Sequence, residues 1–266
     1  MTAQDRLYAA LGSMERIAVA VSGGVDSLTL ATAAHRISGG TVTMHHATSP
    51  AVPAEATERT RSLAISEGWQ LDVFDAGEFA DPSYRANPVN RCFFCKTNLY
   101  GAVARRTSHQ IVSGTNLDDL GEYRPGLDAA REHGVRHPFV EAGIDKCTVR
   151  ALAAGLGLGT VSELPSAPCL SSRVETGIRI EAPVLAMVHQ AERLVAARLS
   201  PHTVRCRVRA AGVVIELDTA SLAALAPEQS MALQRELLTL AEAAGLRGPV
   251  QFASYRTGSA FLHGPA

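Results

Sequence analysis

The chain alternates between short apolar runs and longer stretches in which apolar residues recur at helical spacing. Residues 17–21 are all apolar and mostly β-branched, a pattern typical of a strand buried on both faces of a parallel sheet. Residues 28–37 then follow a helical period, which Gly39 and Gly40 end. Further strands are predicted at residues 41–47, 70–74 and 110–113, with a helix at residues 53–67. This alternation predicts an α/β fold with a doubly wound parallel sheet.

The pattern changes after the proline-rich stretch at residues 164–170. A helix is predicted at residues 183–198, followed by two alternating strands at residues 203–209 and 213–217 whose short connection indicates a hairpin. A last strand is predicted at residues 250–255. We therefore expect two domains, a nucleotide-binding domain at residues 1–172 and a smaller α+β domain at residues 173–266 that binds substrate or mediates oligomerisation.

The composition narrows the class of partner. The 266 residues carry 25 basic and 26 acidic side chains, a net charge of -1, which gives no electrostatic footprint for nucleic acid or a membrane surface. We therefore expect a small-molecule partner. No apolar run approaches the roughly 20 residues needed to span a bilayer, and charged residues occupy the start of the chain, so we expect a cytoplasmic protein.

The most specific motif is Ser22-Gly-Gly-Val-Asp-Ser27, which follows the first predicted strand and precedes a helix. Ligands of parallel sheets bind at this edge. Gly23 and Gly24 allow a tight turn with exposed N–H groups, the two serine hydroxyls add donors, and the helix N-terminus adds its positive dipole end. The loop therefore predicts a cradle for phosphate.

This loop lacks the lysine of other phosphate loops. A Walker A loop ends in Gly-Lys-Ser/Thr and a dinucleotide fingerprint needs G-x-G-x-x-G, and neither is present. Such a loop suits pyrophosphate as a leaving group, with chemistry at the α-phosphate. An ionised Asp26 can only accept hydrogen bonds, so beside phosphates we expect it to act through Mg²⁺. The alternative is an ordinary glycine turn in which Asp26 caps the helix.

Three of the five cysteines form a second candidate site. Cys92 and Cys95 make a C-x-x-C pair before a predicted helix, and Cys169 lies far along the chain. Such a pair can share a metal centre, and a third thiolate could complete an iron–sulfur site with one iron open to carry sulfur. Structural zinc with a histidine ligand, a redox dithiol and burial as small hydrophobes stay open as alternatives. Cys147 and Cys206 are expected to be structural.

Five motifs spread along the chain carry a family resemblance. They are Ser22 to Ser27, Arg91-Cys-x-x-Cys-Lys96, Ser113-Gly-Thr-Asn-Leu-Asp-Asp119, Tyr123-Arg-Pro-Gly-Leu127 and Cys169-Leu-Ser-Ser-Arg173. Together they resemble the LarE family, a branch of the PP-loop ATP pyrophosphatases that inserts sulfur into the nickel-pincer nucleotide precursor. The resemblance implies that ATP adenylates a carboxylate of pyridinium-3,5-biscarboxylate mononucleotide, that pyrophosphate leaves, and that a sulfur nucleophile displaces AMP to give a thiocarboxylate.

The family has two sulfur sources. In one branch a single cysteine, matching Cys169, gives up its own sulfur and becomes dehydroalanine. In the other, a C-x-x-C pair and that cysteine hold a [4Fe-4S] cluster. Because this chain has Cys92, Cys95 and Cys169, the resemblance implies the cluster branch, with ATP, Mg²⁺ and the cluster as cofactors. It also implies a homo-oligomer and a sulfur donor, either sulfide or a carrier protein.

Other residues can be given roles in this chemistry. Gly114, Thr115 and Asn116 follow a strand and are expected to contact adenosine or the acyl-adenylate, while Asp118 or Asp119 either assists Mg²⁺ or caps a helix. Guanidinium groups bind phosphate bidentately, so the arginines expected at the phosphate of the mononucleotide are Arg173, Arg205, Arg207 and Arg256. A solvated sheet face is the alternative for those on the strand at residues 203–209.

Two other functions fit parts of the sequence. A PP-loop tRNA thiolation enzyme would also use three cysteines, although this chain lacks the clustered Lys and Arg that binding a phosphate backbone requires. A non-catalytic nucleotide-binding or metal-binding module on the same fold would bind ATP without turning it over.

Overall fold

The structure, a computed structural model, describes residues 1–38, 41–121, 124–165 and 168–262. The predicted helix stop at Gly39 and Gly40 and the motif residue Tyr123 lie outside the described residues. The strands are β1 (Ile17–Ala20), β2 (Val42–Thr48), β3 (Gln70–Asp75), β4 (Gln110–Ser113), β5 (Val204–Arg209), β6 (Gly212–Leu217) and β7 (Val250–Ser254). The helices are α1 (Ala3–Gly12), α2 (Val25–Ser38), α3 (Ala54–Glu67), α4 (Pro82–Arg85), α5 (Arg91–Ala104), α6 (Pro125–Glu132), α7 (Pro138–Glu141), α8 (Lys146–Gly155), α9 (Ala182–Leu199), α10 (Thr219–Ala223) and α11 (Pro227–Ala243).

Strands β1 to β4 form a parallel sheet in the order β3-β2-β1-β4. The chain moves outward from β1 through β2 to β3 and then returns to place β4 on the other side of β1. The strand order therefore reverses between β1 and β4. Open α/β sheets bind their ligands beyond the carboxyl ends of the strands at such a reversal. The loops that follow β1 and β4 both start at this position.

β1 is buried on both faces, as its uninterrupted apolar sequence predicts. Ile17 and Val19 belong to one core, which also contains side chains of α2 and α8. Ala18 and Ala20 belong to a second core, which contains side chains of α5 such as Tyr100. Successive residues of a strand point to opposite faces, so helices cover both sides of the sheet. The predicted doubly wound α/β fold is confirmed.

A second, smaller sheet has the order β5-β6-β7. β5 and β6 are antiparallel, which confirms the predicted hairpin, and β6 and β7 are parallel. Gly212 starts β6 with a φ of 136°, and a Cβ there would lie 2.4 Å from the carbonyl oxygen of Pro249. Only glycine tolerates both this backbone conformation and this close approach. Gly212 therefore allows the start of β6 to lie against Pro249, which precedes β7. Buried residues of α9 and α11, including Val188 and Leu237, complete the apolar core of this region.

The chain forms two compact units. The first comprises Met1–Asp81 and Cys92–Ala167, and the second comprises Pro82–Arg91 and Pro168–Ala266. The pattern of apolar residues does not predict that Pro82–Arg91 belongs to the second unit. Asn87 explains it, since its buried amide nitrogen lies 2.9 Å from the carbonyl oxygens of both Glu175 and Ile178. Within the described ranges, every helix is too short or too polar to span a bilayer.

Candidate active site

The loop between β1 and α2 is closed by its own hydroxyl groups. The N–H of Ser22 donates to Oγ of Ser27 at 3.0 Å, and this hydroxyl donates to the carbonyl oxygen of Gly24 at 3.1 Å. Gly23 has a φ of 80°, and a Cβ there would lie 2.5 Å from the carbonyl oxygen of Ala56 in α3. Conformation and space both exclude a side chain at this position. The loop is thus a tight turn that leads into the N-terminus of α2, where the N–H groups of a first helical turn and the helix dipole favour an anion.

The end of β4 lies directly against this loop. A Cβ on Gly114 would lie 2.8 Å from the carbonyl carbon of Asp26 and 2.9 Å from the backbone nitrogen of Ser27. Glycine therefore allows the two backbones to approach. Two residues later, the buried Asn116 donates from Nδ2 to Oδ1 of Asp26 at 3.2 Å. The structure thus brings Gly114 and Asn116 to the predicted phosphate loop.

Asp26 is ion-paired to a lysine from a distant part of the chain. Nζ of Lys146 lies 2.5 Å from Oδ2 of Asp26, so both carboxylate oxygens of Asp26 have partners. Lys146 is the first residue of α8, and the side chain of Asp145 caps that helix by accepting from the N–H of Thr148 at 2.8 Å. The loop that lacks its own lysine therefore has one beside it. Mg²⁺ at Asp26 would have to share this carboxylate with Lys146.

The two carboxylates after β4 hold backbone turns. Oδ2 of Asp119 accepts from the N–H of Asn116 at 3.0 Å, and its Oδ1 lies 3.0 Å from the guanidinium of Arg124. Oδ2 of Asp118 accepts from the N–H of Lys146 at 3.1 Å and so helps to place that residue. These contacts agree with the capping alternative. The predicted role of Asp119 as a magnesium ligand stays a prediction.

A buried histidine supports the strand end that precedes the loop. Nδ1 of His46 lies 2.9 Å from the carbonyl oxygen of Val21, and its Nε2 lies 2.9 Å from Oγ1 of Thr57. A neutral ring satisfies both contacts, with Nδ1 donating to the carbonyl and Nε2 accepting from the hydroxyl. Burial lowers the pKa of His46, which favours this neutral form. His46 therefore stabilises the strand that supports the phosphate loop.

Hydroxyls and a second histidine cluster at the end of β4. Oγ of Ser113 lies 3.1 Å from Oγ1 of Thr115 and 2.9 Å from Nδ1 of His137. Burial is the main cause that lowers the pKa of His137, and the charge of Lys96 acts in the same direction. Lys96 follows the C-x-x-C pair in α5, so its charge acts on the β4 end from the helix that carries the two cysteines.

Cys92 and Cys95 are the second and fifth residues of α5 and lie at its N-terminal end. Residues three apart share one face of a helix, so both thiols lie on the same side. The start of α6 packs against this end of the helix, because a Cβ on Gly126 would lie 3.1 Å from Cγ of Lys96 and 4.0 Å from Cβ of Cys92. The pair is therefore half-buried in the first unit, the unit that contains the phosphate loop.

The other cysteines differ in exposure. Cys169, in the second unit, is exposed and immediately precedes the 3₁₀ turn Leu170–Arg173, whereas Cys147 is exposed on α8. Cys206 is fully buried in β5, and burial raises the pKa of its thiol, so it is an unreactive core residue. Within the described ranges, no group of three or more His, Cys, Asp or Glu side chains is placed to hold a metal ion.

Two of the four predicted phosphate-binding arginines already bind carboxylates. Nε of Arg173 lies 2.9 Å from Glu192, and Nε of Arg207 lies 2.8 Å from Glu216. Both guanidinium groups are buried, so the solvated-face alternative is wrong for Arg207. Arg205 is half-buried above the ring of Tyr255, where burial lowers the pKa of its guanidinium.

Arg256 is exposed, and its carbonyl oxygen lies 3.4 Å from Nη2 of Arg207. The predicted role of all four arginines at a substrate phosphate stays a prediction.

Comparison with known proteins identifies the family. No family model matches the chain. An uncharacterized protein of Synechocystis sp. is 36% identical over 207 residues, which are 76% of each chain. The pyridinium-3,5-bisthiocarboxylic acid mononucleotide synthase of Lactiplantibacillus plantarum is 31% identical over 226 residues, 83% of this chain and 81% of that synthase. The chain belongs to this synthase family.

A more distant similarity extends to RNA-modifying enzymes. A probable tRNA sulfurtransferase of Methanothermobacter thermautotrophicus is 24% identical over 172 residues, 59% of this chain and 44% of that enzyme. The LarE resemblance of the motifs is thus confirmed for the synthase family. The iron–sulfur branch stays a prediction.

The motifs do not reveal Lys146, although it contacts the phosphate loop through Asp26. It lies 120 positions from Asp26, and no spacing rule connects the two. One signal was present in the sequence. A lysine in the first turn of a helix opposes the helix dipole, so a cation there needs another reason, and the carboxylate of Asp26 supplies it.

Proposed function

We propose that this protein is an ATP-dependent sulfurtransferase that acts on pyridinium-3,5-biscarboxylate mononucleotide. It adenylates a carboxylate of this nucleotide, releases pyrophosphate, and replaces AMP by sulfur to give a thiocarboxylate for the nickel-pincer cofactor. The observation that carries the proposal is the synthase of 31% identity, because the similarity covers 83% of the chain. The reversal of strand order between β1 and β4, with the glycine loop that follows β1, supports the nucleotide half of the reaction.

In this reaction, a carboxylate oxygen of the substrate attacks the α-phosphorus of ATP and pyrophosphate leaves. Negative charge grows on the α-phosphate oxygens and on the leaving group. The N–H groups at the start of α2 and the ammonium of Lys146 would stabilise that charge, and Asp26 would orient Lys146. Gly114, Thr115 and Asn116 would contact the nucleotide from the β4 side, as their position against the loop permits. A bound Mg²⁺ would supply further neutralisation of the phosphates.

The sulfur half of the reaction needs a sulfur nucleophile that attacks the acyl carbon, so that AMP leaves with the former carboxylate oxygen. Cys92, Cys95 and Cys169 are the proposed sulfur-bearing residues. Three thiolates suit an iron–sulfur cluster by donor chemistry, since such clusters are held by cysteine thiolates. When bound, such a cluster would supply the sulfur that attacks the acyl carbon. A cluster and a sacrificial Cys169 are both consistent with an exposed Cys169.

We propose that arginines of the second unit bind the phosphate of the mononucleotide. Arg256 is exposed, whereas Arg173 and Arg207 are buried and their guanidinium groups bind Glu192 and Glu216. We also propose a cytoplasmic homo-oligomer that receives its sulfur from sulfide or a carrier protein.

The test is a substrate-dependent pyrophosphate assay on protein purified without oxygen. With ATP, Mg²⁺ and the biscarboxylate mononucleotide, we expect stoichiometric pyrophosphate and AMP, and mass spectrometry should find sulfur in place of carboxylate oxygen. A substrate carboxylate labelled with heavy oxygen should transfer label to AMP. Iron and sulfide analysis of the same protein should find about four irons per chain if the cluster branch applies, whereas conversion of Cys169 to dehydroalanine would identify the sacrificial branch.

Each failure has a defined meaning. AMP without label would exclude adenylation of the carboxylate, and ATP binding without pyrophosphate release would indicate a non-catalytic module. The similarity to a tRNA sulfurtransferase makes tRNA thiolation the second candidate. Pyrophosphate release that depends on tRNA and not on the mononucleotide would favour it.

A further inference from the structure

An arginine lies on the opposite flank of the phosphate loop from Lys146. Nε of Arg59 donates to the carbonyl oxygen of Gly23 at 3.0 Å. Arg59 belongs to α3, one turn after Ala56, whose carbonyl oxygen lies against Gly23. The close approach that requires glycine at position 23 is therefore the same approach that places this guanidinium beside the loop.

The charge of Arg59 is poorly compensated by the protein. Burial is the main cause that lowers the pKa of its guanidinium, and Glu55 only partly opposes this effect. Among the described residues, Arg59 forms no ion pair, although other arginines of the same unit do, such as Arg36 with Glu67 and Arg136 with Glu141. A half-buried cation without a carboxylate carries a desolvation cost. An anionic ligand beside it would offset that cost.

We propose that Arg59 binds the β- and γ-phosphates of ATP and holds the pyrophosphate that leaves. This inference rests on the proposed adenylation. The contact of Nε with Gly23 uses one of the donor nitrogens of the guanidinium, and Nη1 and Nη2 provide the donors that phosphate binds bidentately. The loop has no lysine of its own, so Arg59 and Lys146 supply its cations from α3 and α8.

The position of the two cations assigns them different tasks. Lys146 binds Asp26, at the side of the loop that packs against β4 and Gly114. Arg59 binds Gly23, at the side that packs against α3. Arg59 should therefore contribute to the binding of ATP and pyrophosphate and little to that of AMP, which lacks both terminal phosphates.

The experiment compares Arg59→Gln with Arg61→Gln. Arg61 is exposed on the same helix, so its replacement removes the same charge without touching the loop. Calorimetric binding of ATP, pyrophosphate and AMP is measured at constant Mg²⁺ and ionic strength. For Arg59→Gln we expect the dissociation constants of ATP and pyrophosphate to rise about tenfold or more, as loss of a charge-assisted hydrogen bond predicts, with AMP within about threefold of wild type. Arg61→Gln should leave all three within about twofold, as expected for a screened surface charge.

Three results would overturn the inference. Equal losses for AMP and ATP would make Arg59 a clamp of the loop backbone, and unchanged ATP and pyrophosphate binding would exclude any role with phosphate. Wild-type protein that binds neither ATP nor pyrophosphate would exclude this role and the proposed adenylation together.

A second variant serves if thermal unfolding shows that Arg59→Gln is not folded. Arg59→Lys keeps the positive charge but loses the paired donors of the guanidinium, and it should show the same selective loss to a smaller degree. Because binding needs no sulfur substrate, a wild type that binds ATP without substrate-dependent turnover would refute the proposed function alone.

Discussion

The phosphate loop of the first unit and the arginine-bearing face of β5 in the second unit differ in how far their charged side chains are exposed to solvent. At the loop, Lys146 and Asp26 have side chains that are 30% and 26% exposed. On the β5 face, the side chains of Arg207 and Glu216 are only 5% and 2% exposed. Both regions carry ion pairs, so the presence of a pair does not distinguish a ligand site from a structural network. Access to the charged groups does.

The buried network explains why most of the β5 arginines cannot bind a phosphate as they stand. Glu216 accepts from Arg207 at 2.8 Å, from Arg209 at 3.2 Å and from Oγ of Ser259 at 2.6 Å. A ligand would have to displace a buried carboxylate that has three donors. At the loop, the proposed ligand phosphate would meet the partly exposed ammonium of Lys146, whose carboxylate partner Asp26 is itself accessible. This difference in solvent access predicts that substitutions on the β5 face mainly lower the free energy of unfolding. Substitutions at the loop should mainly lower the rate of the reaction.

Glu216→Gln should give the largest change in stability. The amide leaves the buried Arg207 without its carboxylate partner, whereas Arg209 keeps Glu175 at 3.2 Å. Removal of one partner from a buried ion pair typically costs about 3–5 kcal/mol. Urea denaturation should therefore show a lower free energy of unfolding by about this amount. The matched control is Glu236→Gln, because Glu236 pairs with Arg198 at 3.2 Å on the surface, and exposed pairs contribute under about 1 kcal/mol. Equal, small effects of both changes would refute the distinction between the two regions.

Lys146→Gln should affect catalysis far more than stability. The half-exposed pair with Asp26 contributes little to folding, since such pairs are worth up to about 1 kcal/mol. Loss of a positioned cation from a site of developing charge typically lowers kcat about 10²–10³-fold. The measurement is the rate of substrate-dependent pyrophosphate release, with urea denaturation in parallel. Lys146→Arg should recover part of the rate. A large loss of stability with an unchanged rate per folded molecule would place Lys146 with the structural pairs instead.

The sequence predicts local geometry at both regions and misses the partners that come from elsewhere. The phosphate loop and the approach of Gly114 are predictable, because a strand–glycine turn–helix order and a parallel sheet place them at one edge. The shared face of Arg205 and Arg207 is predictable from the period of two. Glu216 and Lys146 are not, since each meets its partner only through the packing of separate elements. The position of Asn87 in the second unit depends in the same way on contacts with distant carbonyls.

Acidic pH should weaken the contact by which His46 supports the phosphate loop. We expect this effect to be smaller than that of Glu216→Gln or Lys146→Gln. Burial lowers the pKa of His46 below its ordinary value of 6.5, so the folded state favours the neutral ring that holds the carbonyl of Val21. Above that value the ring is neutral in the folded and unfolded states alike. As the pH falls through 6.5 toward the lower folded pKa, the unfolded chain binds a proton that the folded chain does not, and the free energy of unfolding decreases. His45 and His137, whose pKa values burial also lowers, act in the same direction. Urea midpoints measured across this range should fall with pH, and His46→Gln, though less stable at neutral pH, should show a flatter dependence. An equally steep dependence in that variant would show that His46 does not contribute to the acid sensitivity.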